Sequence, residues 1–258
     1  MNALATWLVR LTLVWLLWPL APALAGAVVD AELAWSDRTD LGTPLSGRVA
    51  EVLVAPGDTV QPGQPLLRLD RRALLARREA ARARLEAARQ RLAEAVRERD
   101  RIEALFDRTL LSEHELQVAR IDHAAAQATE LGARAELAIV EQRLDEAELR
   151  APFEARVLSV AARVGQTVVN RLQAAPLVVV ARTGRMQALA ALPAEQIAAL
   201  AAGQPVRVTV GGQDFDGRIL DAGLEPAGSG GLYVLRVEFG VAPDQGLRAG
   251  MAARIALP

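Results

Sequence analysis

The stretch from Asp70 to Leu149 limits what this chain can fold into more than any other. Its eighty residues hold no proline and one glycine, Gly132, and are dense in Ala, Leu, Arg and Glu. Leu74, Ala81, Ala88, Ala95 and Ile102 recur every seven residues, with Leu85, Leu92 and Phe106 on the alternate seam. After a break at 107–112, Leu116, Leu137 and Leu144 hold one seam while Ala119, Ala126, Ala133, Val140 and Ala147 hold the other. A 3-4 spacing kept up this long predicts a coiled coil, here an antiparallel α-helical hairpin over 71–148. Each helix of about 36 residues would extend about 54 Å. No small domain can bury that length, so the hairpin must project.

Charge supports the pairing of the two helices. Arg71 to Leu111 carries 12 Arg against 7 acids, whereas Ser112 to Glu148 carries 3 Arg against 9 acids. Side by side they attract along their flanks, modestly, because solvent and salt screen exposed pairs.

An internal repeat brackets the hairpin. Gly47 to Val60 aligns without gaps on Ala155 to Val168, an offset of 108 residues, and six of fourteen positions are identical. Each copy reads as a strand, a glycine turn and a second strand. The first continues through Pro62-Gly63 into Leu66 to Leu69, the second into Pro176 to Val180. Neither half has the apolar surface to stand alone. Two similar halves joined by an antiparallel hairpin make one small β-sandwich into which the helices are inserted.

Beyond Thr183, strands are expected at Met186–Leu192, Val206–Val210, Phe215–Ala222, Tyr233–Phe239 and Ala252–Leu257. Tyr233, Leu235, Val237 and Phe239 alternate with Val234, Arg236 and Glu238, the period of a half-buried strand. Pro193 to Gly203 reads as one short helix, with proline at its first turn and glycine beyond its end. Asp30 to Leu41 is expected to lend a strand to a later domain.

With these residues in hand, the sequence resembles the periplasmic adaptor proteins, also called HlyD-type membrane fusion proteins. Ser46-Gly-Arg-Val-Ala-Glu-Val-Leu-Val-Ala-Pro-Gly-Asp-Thr-Val60 and its continuation resemble the first half of their split lipoyl-like domain. Leu149-Arg-Ala-Pro-Phe to Val168 resembles the returning half, with Ala155 where the family usually has glycine. Leu247-Arg-Ala-Gly-Met251 also matches. The resemblance covers about 45–258. It implies a mixed α and β, elongated multidomain fold: a coiled-coil hairpin in a split lipoyl-like β-sandwich, followed by a β-barrel domain. The order is a signal peptide at 1–25, an N-terminal arm at 26–44, lipoyl-like halves at 45–70 and 149–182 around the hairpin at 71–148, and a barrel at 183–258. Many adaptors of resistance-nodulation-division pumps carry a further membrane-proximal domain after the barrel; here the last expected strand runs to Leu257.

Met1 to Ala25 offers Arg10, an apolar run from Leu11 to Leu20 and a small-residue Ala23-Leu24-Ala25 site, the pattern of a secretory signal peptide. The run is short for a membrane span, and an uncleaved anchor is the alternative. The expected location is the periplasm, with association to the inner membrane through partners. There is no cysteine, so thiolate chemistry and lipoprotein anchoring are excluded. All 30 basic residues are arginine, and the net charge of −1 argues against a general attraction to nucleic acid or acidic membrane.

The motif search finds no catalytic apparatus. His114 and His123 are the only histidines and stand nine apart, not a same-face helical spacing. No Ser-His-Asp order, phosphate-cradling glycine loop or zinc-helix motif appears. Lipoyl domains that carry a swinging arm modify a lysine at their turn; this chain has none, so covalent lipoate or biotin is excluded. No enzyme activity, cofactor or metal is expected.

The sharpest signal is the hairpin tip. Arg101, Leu105 and Ser112 stand at the spacing with which, as the resemblance implies, efflux adaptors meet an outer-membrane channel. Each has a plainer reading: Ser112-x-x-Glu115 is a capping box that starts the second helix, Leu105 is seam packing and Arg101 a solvated residue. The implied partners are an inner-membrane transporter, an outer-membrane channel and further copies of the chain in a ring, with membrane contact indirect and small molecules as the cargo. The alternatives are an adaptor of an ATP-driven exporter and an exported scaffold whose hairpin serves another partner.

Overall fold

The computed structural model describes residues 27–170, 176–227, 231–242 and 245–257. The expected signal peptide lies outside them. The hairpin consists of α1 (Arg72–Phe106, 35 residues) and α2 (Glu113–Glu146, 34 residues). Each spans about 52 Å at the α-helical rise. Ala81, Leu85 and Ala88 of α1 and Leu116, Ala119, Val140 and Leu144 of α2 are buried, all on the expected seams. Ion pairs cross the flanks: Arg82–Glu141 at 3.6 Å, Arg84–Glu136 at 2.5 Å, Arg89–Glu130 at 3.7 Å and Arg120–Glu103 at 2.8 Å. Three of the four place arginine on α1 and glutamate on α2, as the opposite net charges require.

The strands on either side of the hairpin form two four-stranded sheets. One has the order β2 (Thr39–Leu41), β9 (Val178–Arg182), β7 (Ala155–Val160), β4 (Thr59–Val60). The other runs β6 (Glu148–Arg150), β5 (Pro65–Leu69), β3 (Gly47–Val52), β8 (Thr167–Val168). The sequence repeat appears here as a structural exchange. Gly47 of β3 pairs with Val168 of β8, and Ala155 of β7 pairs with Val60 of β4. Each copy thus sends its long strand to one sheet and its short strand to the other, and neither closes without its partner. Gly57 and Gly165, equivalent in the repeat, turn the chain at φ +100° and +86°, where a Cβ would be strained.

The hairpin grows out of the β5–β6 ladder. Arg68 Nε donates to Glu148 Oε1 at 2.6 Å across it. Burial would by itself raise the Glu148 carboxyl, but the hydrogen bond from Arg68 and the nearby Arg150 hold it below the usual carboxylate range. The buried Thr43 hydroxyl donates to the carbonyl of Glu146 at 3.0 Å, satisfying one of the orphan acceptors at the end of α2.

The third part is a closed barrel, in order β1 (Val28–Trp35), β10 (Arg185–Leu192), β13 (Tyr233–Gly240), β12 (Gln213–Pro226), β11 (Pro205–Val210), β14 (Ala252–Ala256). The segment expected to give one strand gives two. A turn at Ser36-Asp37, with Asp37 at φ +48°, separates β1, which closes the barrel between β10 and β14, from β2, which joins the sandwich. A second difference concerns 193–203, where the expected helix is a single turn, α3 (Ala194–Ile197). Ile197 and Leu200 must both pack on the barrel, and Gly203 N–H donates to the Ile219 carbonyl at 2.8 Å. That strand contact pulls the chain out of helix despite its alanine content.

Candidate functional site

The surfaces best placed to meet another protein are the tip and the outer edges of the hairpin. At the tip, Thr109 at φ +59° turns the chain, and Leu110 N–H donates to the Leu105 carbonyl at 3.1 Å. Ser112 caps α2: the Glu115 N–H donates to its Oγ at 3.3 Å, and its own N–H donates to Glu115 Oε2 at 2.8 Å. The backbone and then the hydroxyl of Ser112 hold the Glu115 carboxyl below its ordinary range. Arg101 and Leu105, one turn apart, share a face of α1. Leu105 is half-buried and Arg101 exposed, its guanidinium bound to Glu98 at 2.6 Å. That hydrogen bond raises the guanidinium further above its ordinary range. The turn brings Arg101, Leu105 and Ser112 to one pole of the hairpin. The polar groups of Arg101 and Ser112 each hold a partner within their own helix. Leu110 beside them is 66% exposed and is the apolar group the tip offers most freely.

The histidines separate. His114 is exposed, whereas His123 occupies the seam, its Nε2 3.3 Å from Arg99 Nη1. Among the described residues, no three His, Asp or Glu side chains come together in a group that could hold a metal ion. The polar positions of the seam were missed by a search for apolar residues alone. Arg78 and Arg99 fill the empty seam positions of α1, and His123 and Glu130 fill those of α2.

The outer edges were missed as well, although the same count shifted by two residues finds them. On α2, Val118, Ile121, Ala125, Ala128, Gly132, Ala135 and Ile139 form a second 3-4 series in which every member is apolar or small and every member is exposed. Val118, Ile121 and Ile139 are 43%, 56% and 52% exposed. On α1, Ala73, Ala76, Ala80, Ala83 and Ala87 form a matching exposed series. Each series lies about 150° around its helix from the seam, at the heptad angle. The two therefore run along opposite edges of the hairpin, one bare with alanine and flanked by arginine, the other studded with isoleucine and valine on the acidic helix.

No family model matches the chain. The nodulation protein NolF of Rhizobium meliloti (strain 1021) is 31% identical over 220 residues, 83% of this chain. The chain spans 58% of that protein's length. Among solved structures, a MacA-MexA chimera containing the Pseudomonas aeruginosa MexA α-hairpin domain superposes with a TM-score of 0.70 at 21% identity, over 90% of this chain and 81% of that one. A membrane fusion protein from Streptococcus pneumoniae R6 gives 0.70 at 17% identity, over 90% and 98%. MacA from Actinobacillus actinomycetemcomitans gives 0.66 at 20% identity, over 91% and 79%. The hairpin, split sandwich and barrel, in this order, are the fold that this chain shares with these solved structures.

Proposed function

We propose that this protein is a periplasmic adaptor that links an inner-membrane transporter to an outer-membrane channel for the efflux of small molecules. The observation that carries the reading is the hairpin itself. Two helices of about 52 Å stand out from the β domains and keep apolar edges exposed along their outer sides, a form suited to spanning a gap while packed against copies of itself. The edges are different surfaces of one hairpin, so contact between them is head-to-tail, the kind of interface that closes into rings. In this reading Arg101, Leu105 and Ser112 form the contact with the channel, and the chain performs no chemistry of its own. Arg101 would exchange Glu98 for carbonyls or carboxylates at a partner's helix ends, which its planar fork of donors suits.

The test is Arg101→Asp in cells that depend on the protein for resistance to its cargo. The variant should fold and be exported as the parent is, since an exposed substitution changes stability by under about 0.5 kcal/mol. Resistance should be lost while capture of the transporter from crosslinked envelopes persists. Full resistance in the Arg101→Asp cells would remove the tip from the mechanism. Which transporter is captured, proton-driven or ATP-driven, decides the class of the system.

A further inference from the structure

Where α1 leaves the sandwich, its first turn and strands β3 and β5 enclose an open groove of about 450 Å³. Four guanidinium groups line it, of Arg48 on β3, Arg68 on β5 and Arg71 and Arg72 at the start of α1, against two carboxylates, Glu51 and Asp70. Both carboxylates are already committed. Glu51 Oε2 accepts from Arg68 Nη1 at 3.0 Å, and Asp70 Oδ2 accepts from Arg72 Nη2 at 2.6 Å. Arg68 is held further by Glu148. Arg48 lies near enough to Asp70 to help lower its carboxyl, without bonding to it. Among the described residues neither Arg48 nor Arg71 has a carboxylate within ion-pair distance. Arg71 stands at the N-cap of α1 and its side chain makes no capping hydrogen bond. Asp244 is the one acidic side chain outside the described residues; it follows Ala242 and precedes Gln245 in the barrel, and neither of these lines the groove. The apolar part of the wall is Leu75 of α1 and Val164 of the β7–β8 turn, 37% and 67% exposed.

Four arginines against two carboxylates leave two positive charges in one groove that no acid of the chain compensates. A carboxylate ligand would answer one of them. A phosphate monoester carries close to two negative charges and three strong acceptor oxygens, and so answers both through charge-assisted hydrogen bonds. The groove is also within the size of small-molecule sites, about 300–1,000 Å³, and its exposed aliphatic side chains give an organic body somewhere to rest. From these together we propose that the groove binds an organic phosphate, with the phosphate between Arg48 and Arg71 and the apolar body against Leu75 and Val164. Arg71 and Leu75 belong to the hairpin, Arg48 and Val164 to the sandwich, so the ligand touches both. Binding therefore favours the hairpin angle that keeps both sets of contacts. The inference is independent of the adaptor reading and stands or falls without it.

The test uses the full chain and calorimetric titration with 1-naphthyl phosphate, against 1-naphthol and inorganic phosphate, which carry its two halves separately. Naphthyl phosphate should bind at a single saturable site, and each half about tenfold or more weaker. Arg48→Gln and Arg71→Gln should each weaken naphthyl phosphate about tenfold, the size of one lost charged hydrogen bond, with circular dichroism showing the parent fold. Val164→Ser should weaken naphthyl phosphate and leave inorganic phosphate unchanged. Arg77→Gln, at an exposed arginine of α1 that does not line the groove, should change nothing. Cosedimentation with phosphatidate vesicles separates the two sources of such a group: capture that Arg48→Gln abolishes assigns it to a lipid head group, and no capture assigns it to a soluble ester. Absence of saturable naphthyl phosphate binding, equal affinity for naphthyl phosphate and either half, or indifference to both Arg48→Gln and Arg71→Gln would each overturn the proposal.

Discussion

Val49 and Val157 stand 108 residues apart in sequence and at the same place in the repeat, one in each sheet of the sandwich, and each is 1% exposed. They belong to one core, with Leu66, Leu67, Leu69, Val178 and Val180 between and around them. Truncating either to alanine removes two buried methyl groups and leaves a void, a loss of about 2 kcal/mol. The two variants should agree within about 0.5 kcal/mol, whereas Val164→Ala, at a site 67% exposed, should cost less than that. Amide exchange of the sandwich strands in urea measures all three. A large difference between Val49→Ala and Val157→Ala would show that the repeat is one of sequence and not of packing.

The exchange of strands between the two halves makes a second expectation. Excising 72–146 and bridging Arg71 to Ala147 with a short turn keeps β5 and β6 adjacent, with Arg68 still facing Glu148. The remaining sandwich and barrel should stay folded, with strand signal retained and helical signal nearly gone by circular dichroism. An unfolded product would mean that the hairpin holds the halves together and not the reverse.

Much of this was legible in the sequence because it is periodic. The heptads named the seam, and the repeat named the sandwich, including which glycines turn. What escaped was not periodic in apolar residues. The seam positions of Arg78, Arg99, His123 and Glu130 vanish from a count of leucines and alanines, although the 3-4 spacing passes through each. Strand β1 reads as a mixed segment because its residues face a barrel closed by strands more than 150 residues away, at β10 and β14. The helix at 193–203 fails for a tertiary reason: local propensity favours it, but Gly203 is bonded to Ile219. At the tip, Ser112 was readable as a cap. That Arg101 would be held by Glu98, three residues earlier on the same helix, was there to be read from the spacing and was overlooked.

Asp70 gives a pH dependence. Its carboxylate accepts from the side chain and then the backbone N–H of Arg72 at the start of α1, which lowers it to about 2. A carboxyl depressed in the folded state contributes stability that is present above its unfolded value of about 4 and lost as the pH falls through the folded value. The first turn of α1 should therefore keep its amide protection at pH 4 and lose it on approach to pH 2. Carbon-detected titration of the Asp70 carboxyl gives the midpoint; a value near 4 would mean that the contact with Arg72 does not persist in solution.

The last prediction concerns the outer edge of α2 and uses its one glycine. Gly132 sits in the middle of the exposed series, and a Cβ built there meets nothing within 4 Å. In the lone hairpin, Gly132→Ala should therefore stabilise α2 by about 1 kcal/mol, from helix propensity and the reduced freedom of the unfolded chain. If the edge packs against the alanine series of a neighbouring copy, the glycine marks a point of close approach, and the added methyl should weaken self-association while the monomer gains stability. Ile121→Glu or Ile139→Glu, on the same edge at 56% and 52% exposure, should weaken association more strongly by placing a charge in the contact, with little cost to the monomer. Sedimentation reads association and thermal unfolding reads stability, so the two effects separate. Association that is unchanged by Gly132→Ala, Ile121→Glu and Ile139→Glu alike would show that copies do not meet along this edge, and ring formation would then have to rest on the β domains alone.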